Sequence, residues 1–236
     1  MSKVFIIIKK ELATLFRSPL AYVILCITIS VFHFFFYLII DHNQEASLRD
    51  VFKVMEFMFV FIVPILTMKT FAGEKLSGTM EFLLTTPTSH LTIVLGKFLG
   101  VFTFFSVLVG LTGIYYVLIE IFGNPDLSAV MTGYLGVLLE GGLFIAIGIL
   151  VSSWTSSQMI AAITTYLLLF ILYFSASVTT YFQGAMAEFL RQLCTMTHFD
   201  NFSIGLFSLA DFVYYASGIV MCLLLTCVSI DKKLWE

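Results

Sequence analysis

LAYVILCITISVFHFFFYLII, residues Leu20–Ile40, holds no Lys, Arg, Asp or Glu. About 20 consecutive apolar residues are what an α-helix needs to cross the hydrocarbon core of a bilayer. The rest of the chain has the same character. Of 236 residues 60% are hydrophobic, 26 are Phe and only 11% are charged, against about 25% charged in an ordinary soluble domain. A water-soluble globule of this length cannot bury so much apolar surface and still clothe itself in polar groups. The expected solvent is lipid. At roughly 30 residues per span with its connection, the length allows six or seven spans and leaves no room for a soluble catalytic domain. The net charge of −3 offers nothing to nucleic acid. Disorder is excluded by the low charge and the abundant aromatics.

Working outward, six spans are expected: Leu20–Ile40, Met55–Phe71 (with Pro64 inside), Phe98–Ile119, Ala129–Val151, Met159–Phe182 and Phe212–Ile230. The fold class is therefore all-α, a polytopic membrane protein forming a single domain over 1–236. Lys3, Lys9, Lys10, Arg17, Lys69, Lys75, Lys97, Lys232 and Lys233 fall on one side of this topology. Arg49, Lys53 and Arg191 fall on the other. Cytoplasmic flanks carry the excess of Lys and Arg. Both termini are thus expected in the cytoplasm, as an even number of spans requires.

Three segments lie outside the spans. Residues 1–18 place Phe5, Ile8, Leu12, Leu15 and Phe16 at helical spacing, with Lys3, Lys10 and Arg17 on another face. That pattern predicts an amphipathic helix in the membrane surface. Its apolar run Val4–Ile8 is too short for a signal peptide. The inner loop 70–96 predicts a helix over Glu74–Leu84, closed by Pro87. Glu74, Lys75 and Glu81 give that helix charges of both signs, Gly78 permits close backbone approach, and Leu83 and Leu84 offer an apolar anchor. Such a mixture suits a protein groove better than lipid headgroups, which favour Lys and Arg alone. A merely solvated loop helix is the other reading. The outer segment 183–210 is too apolar for a free loop and too interrupted by Glu188, Arg191, His198, Asp200 and Asn201 for a span. A pair of short re-entrant helices fits it, since irregular backbone at membrane depth persists only against protein or a wet cavity.

Enzymatic motifs are missing. Gly96-Lys97 is followed by Phe98 and lacks the upstream glycine of a phosphate-binding loop. There is no GxSxG, no HExxH and no i, i+4 pair among His33, His42, His90 and His198. Cys26, Cys194, Cys222 and Cys227 form no CxxC pair and predict neither disulfide nor metal site. Glu140 is the one acid expected deep in a span. A charge there costs at least ~2.5 kcal/mol, so it is expected protonated, paired or facing water. Gly136, Gly141 and Gly142 around it allow a neighbouring helix to approach. It lines a transport path or dimer seam, or else serves as a hydrogen-bonded packing acid. His33 is its candidate partner, or is bonded to a backbone carbonyl.

The stretch Phe71-Ala-Gly-Glu-Lys-Leu-Ser-Gly-Thr-Met-Glu-Phe-Leu-Leu-Thr-Thr-Pro87, with Gly96-Lys97-Phe98 after it, resembles the signature loop of ABC-2-type ABC transporter permeases. Ser18-Pro19-Leu20-Ala21-Tyr22 is similar to the start of their first span. Gly148-Ile149-Leu150-Val151-Ser152-Ser153 with Gln158 is similar to their turn between spans four and five. His198-Phe199-Asp200-Asn201-Phe202 with Gly205, Asp211 and the closing Asp231-Lys232-Lys233-Leu234-Trp235 resembles the GldF-like gliding-motility branch. Glu140 stands where that family leads one to expect a small or apolar residue.

The resemblance implies a half-transporter in the bacterial cytoplasmic (inner) membrane, moving substrate in the direction of export. It would pair with a second permease, as homo- or heterodimer, over two separate ABC ATPase subunits, which bind the ATP and magnesium. The chain itself would need no cofactor or metal and would be no enzyme. An auxiliary extracytoplasmic subunit is compatible with this scheme. Residues 1–18 would be the elbow helix. Glu74, Lys75, Gly78, Thr79, Glu81, Leu83, Leu84 and Pro87 would form the coupling helix seated on the ATPase. Glu188, Arg191, His198 and Asp200 would belong to an outer gate. Two rival functions remain: a membrane anchor recruiting an ATPase for mechanical or assembly work, and a stand-alone channel or carrier. The carrier would need several intramembrane ion ligands.

Overall fold

A computed structural model of the chain describes residues 3–43, 47–80, 88–181 and 184–232. All regular structure among them is helical. The helices are α1 (Lys3–Arg17), α2 (Pro19–Asn43), α3 (Arg49–Thr67), α4 (Ala72–Leu76), α5 (His90–Leu111), α6 (Ile114–Phe122), α7 (Leu127–Trp154) and α8 (Gln158–Phe174). A 3-10 turn (Ser175–Tyr181), α9 (Ala185–Leu193), α10 (Thr195–Ser203) and α11 (Leu209–Lys232) follow. Six stretches are long and apolar enough to cross a membrane: Pro19–His42, Arg49–Leu76, His90–Ile121, Leu127–Trp154, Gln158–Val178 and Leu209–Asp231. The all-α, six-span expectation holds.

Local chemistry explains the boundaries. Pro19 opens α2, where its missing N–H is harmless. Ser89, Asp126 and Ser157 cap α5, α7 and α8 by accepting from the amides of Thr92, Ser128 and Ile160, satisfying donors that have no intrahelical partner. The third span is broken at Thr112–Gly113 between α5 and α6. The carbonyl of Thr112 is taken by the Tyr134 hydroxyl at 2.8 Å.

α7 is the axis of the bundle. Of its most apolar window 78% is buried, against 17% for α2 and 28% for α8 and α11. Glycine makes this possible. A Cβ on Gly133, Gly141 or Gly148 would collide with Phe52, Phe105 or Thr67, and one on Gly136 would lie 2.6 Å from Phe202. Backbone-to-ring contact of this kind is how helices associate where no hydrophobic effect drives them together.

Two expectations change. The second span starts at Arg49 rather than Met55, so Arg49, Asp50 and Lys53 are helical and Glu56 lies two turns inside. The third starts at His90 rather than Phe98, so Lys97 is within α5 rather than at its edge. The first helix buries Ile7 and Glu11 while Phe5 stays exposed. Ile8, Leu12, Leu15 and Phe16 are half-buried. Gly96 and Gly100 of α5 admit this helix: added Cβ atoms would come within 2.6 Å of Ile7 and of Glu11.

Candidate functional site

One end of the bundle is organised around α4. Glu74 spans two bases: Lys10 of α1 at 2.8 Å on Oε1 and Lys97 of α5 at 2.9 Å on Oε2. Lys97 also reaches Glu11 Oε1 at 2.7 Å and the Thr70 carbonyl at 2.6 Å, and its ammonium lies 4.9 Å from the centre of the Phe71 ring. The Lys97 side chain is 1% exposed and those of Glu11 and Glu74 are 10% and 14% exposed. Two acids and two bases thus form a neutral network, the form in which charge survives burial. The Lys10 ammonium is held above its ordinary value of 10.5. Partial burial works against its charge, but the hydrogen bond it donates to Glu74 and the charges of Glu74 and Glu11 outweigh it.

The end of α7 completes the clasp. The Phe71 side chain gives α4 no N-cap, and Ser152 Oγ supplies one from across the bundle. It accepts from the amides of Phe71 and Ala72 at 3.1 and 3.0 Å and donates to the Met68 carbonyl. Lys75 donates to the Ser153 carbonyl, and the Ser153 hydroxyl meets that of Ser229 on α11. His90 of α5 pairs with Asp231. α1, α4, the start of α5 and the ends of α7 and α11 therefore share one end, so residues 3 and 232 lie on the same side.

The expected continuous helix over Glu74–Leu84 is not observed. α4 ends at Leu76, and Gly78 adopts φ +68°. The Gly78 amide bonds the Lys75 carbonyl and the Thr79 amide bonds that of Glu74, the helix-ending pattern that favours glycine. The Thr79 hydroxyl meets Ser77. Glu81, Leu83, Leu84 and Pro87 lie outside the described residues. Of the expected partner-facing set, Glu74 and Lys75 are directed into the bundle, while Gly78 and Thr79 are exposed, as are Leu76 and Ser77 beside them.

At the opposite end, α9 and α10 are joined at Cys194, which is extended. α10 buries Thr195, Phe199, Phe202 and Ser203 against α7, α3 and α8. Asp211 of α11 fastens it. Its Oδ1 lies 2.6 Å from His198 Nδ1, and its Oδ2 accepts from Asn201 Nδ2 at 2.7 Å. His198 Nε2 faces the Gln192 carbonyl at 3.0 Å, so both ring nitrogens meet acceptors. His198 stacks on Tyr214, with ring centres 4.0 Å apart. Glu188 is exposed and accepts from Gln192, Arg191 is exposed, and Asp200 is half-buried. Those three do not join the His198–Asp211 contact.

Glu140 is fully buried on α7, and His33 is not bonded to it. His33 Nδ1 contacts the Ile29 carbonyl at 2.9 Å and the Tyr115 hydroxyl at 3.0 Å, the backbone-bonded alternative. The acid that joins Glu140 is Glu56 of α3. A second span beginning at Met55 puts residue 56 at the water boundary, so the sequence pattern does not single it out. The expectation of a single deep acid is thereby corrected. Glu11 was likewise passed over. The Gly96-x-x-x-Gly100 spacing was its signal, since it marks a face another helix can touch.

An all-α bundle with six membrane-length helices and polar residues gathered at its two ends and its centre is a multi-pass membrane protein. The family model described as ABC-2 family transporter protein matches residues 40–230. The chain belongs to that family and is a permease component of an ABC transporter, the membrane part rather than the ATPase. Membership implies pairing with an ABC ATPase. No curated protein matches the chain.

Proposed function

We propose that the chain is one half of an exporter in the bacterial cytoplasmic membrane. Two permeases would pair over two ABC ATPase subunits, with α4 and residues 76–87 as the seat for the ATPase and both termini on that side. The supporting observation is the clasp on α4. The exposed stretch Leu76–Thr79 follows directly on a five-residue helix tied to α1, α5 and α7 by Lys10, Glu74, Lys97, Lys75 and Ser152. A push on that stretch cannot be absorbed locally and is passed to three long elements at once. The packed pair α9–α10, held by Asp211, is the corresponding outer gate. Glu188 and Arg191 form its exposed rim. The tail residues that suggest the GldF-like branch, His198, Asn201 and Asp211, bind one another, so that motif is accounted for by the gate's anchorage.

The test is reconstitution with an ABC ATPase, sought among the reading frames that neighbour this chain's gene. Hydrolysis should depend on the permease, and Glu81→Lys should weaken docking or uncouple hydrolysis while insertion stays intact. Wild-type docking together with wild-type coupling in Glu81→Lys would overturn the assignment of the seat.

A further inference from the structure

Glu56 on α3 and Glu140 on α7 are 1% and 0% exposed, and their carboxyls face one another inside the bundle. Oε1 of Glu56 and both carboxyl oxygens of Glu140 have no hydrogen-bond partner among the described residues. A third orphan sits with them. The hydroxyl of Thr195, the first residue of α10, is 0% exposed, lies beside Glu140 and is also unpartnered. Buried polar groups are almost always hydrogen-bonded, so several orphans in one place mark something missing.

The surroundings identify the missing group. Tyr173 of α8, Cys194 and Asp200 of the α9–α10 pair, and Tyr214 and Tyr215 of α11 are the titratable groups facing the two acids. α5 presents Phe105, packed on Gly141. No base is among them. Three of these donors are spent elsewhere: Cys194 Sγ on the Tyr173 carbonyl, Tyr214 on the Leu193 carbonyl, Tyr215 on the Thr195 carbonyl. Two ionised carboxylates side by side in this interior would repel one another with no cation among these groups to balance them. One proton removes half the charge and supplies the donor. Among the described residues no cluster of three His, Cys, Asp or Glu could hold a metal ion.

We propose that Glu56 and Glu140 form a proton-binding site that takes up one shared proton, with the Thr195 hydroxyl as its second donor, and that the site is complete only while α10 is seated. Withdrawal of α10 removes Thr195, lets water reach the pair and releases the proton. The position of the α9–α10 pair is thereby tied to proton occupancy. This goes beyond the transport scheme and does not rest on it, because the proton is held with or without an ATPase.

The experiment uses the full chain in detergent or liposomes. The folded state keeps a proton that the unfolded chain has released, so stability falls as pH rises. In denaturant titrations the folding equilibrium should drop by about tenfold per pH unit above roughly pH 5 until the folded pair itself ionises. Glu56→Gln and Glu140→Gln supply the donor permanently, and each should lose that slope relative to wild type. Infrared spectra of wild type should show a protonated-carboxyl C=O band that shifts in deuterium oxide and vanishes at high pH. That band decides the matter if the variants fail to fold. A slope equal in wild type and both variants, absence of the band, or a response to sodium at fixed pH in its place would overturn the proposal.

Discussion

Replacing Lys97 by Met tests whether the α4 clasp is held by charge. Methionine keeps most of the length and apolar stem of lysine, so the change removes the ammonium without opening a large void. Lys97 contacts two carboxylates and a carbonyl within 3 Å at 1% exposure. Glu74 keeps Lys10, but Glu11 keeps no cation in direct contact. Removing one partner of a buried pair costs about 3–5 kcal/mol, because the other charge stays buried and uncompensated. Lys10→Met is the control. Its side chain is 55% exposed, where an ion pair contributes about 0–1 kcal/mol. In thermal denaturation of the purified protein, Lys97→Met should therefore lose on the order of 10 °C, at about 2–4 °C per kcal/mol, and Lys10→Met a few degrees at most. Adding Glu11→Gln to Lys97→Met should recover part of the loss, since it neutralises the stranded carboxylate. Equal stability of the two lysine variants, or no recovery in the double variant, would refute the clasp.

Lys10, whose ammonium is held above 10.5, should add stability that is intact below that pH and disappears as pH rises through its folded value; Lys10→Met should abolish this alkaline component of a pH–stability curve. Asp211→Ala strands His198 and Asn201 together and should cost about 1–3 kcal/mol, read as earlier proteolysis between α9 and α11. Gly141→Ala drives a methyl into Phe105 and should cost about 1–3 kcal/mol, with Phe105→Leu restoring much of the lost melting temperature. In a version lacking Cys26, Cys194, Cys222 and Cys227, Leu76→Cys should be labelled by an impermeant maleimide only in inverted vesicles and Tyr181→Cys only in intact cells; the reverse pattern would invert the topology.

What the sequence made legible follows from the range of each signal. Apolar runs near 20 residues act within one helix, and they predict the six spans. The α4 clasp joins Lys97 to Glu11, 86 positions away, and no local pattern states such a pairing. The Glu56–Glu140 contact failed for a different reason. Arg49, Asp50 and Lys53 looked like a loop because they are charged, yet a helix does not end where lipid ends, and its polar first turns carried Glu56 inward. Chemically the two buried groups are opposites. Lys10, Glu11, Glu74 and Lys97 sum to zero charge, so their network is complete without any outside species and is suited to holding α4 in one place. Glu56 and Glu140 have no base beside them and cannot both ionise, so their state depends on a proton drawn from solution. A rigid coupling end and a titratable seam under the outer helix pair are what this distribution of charge predicts.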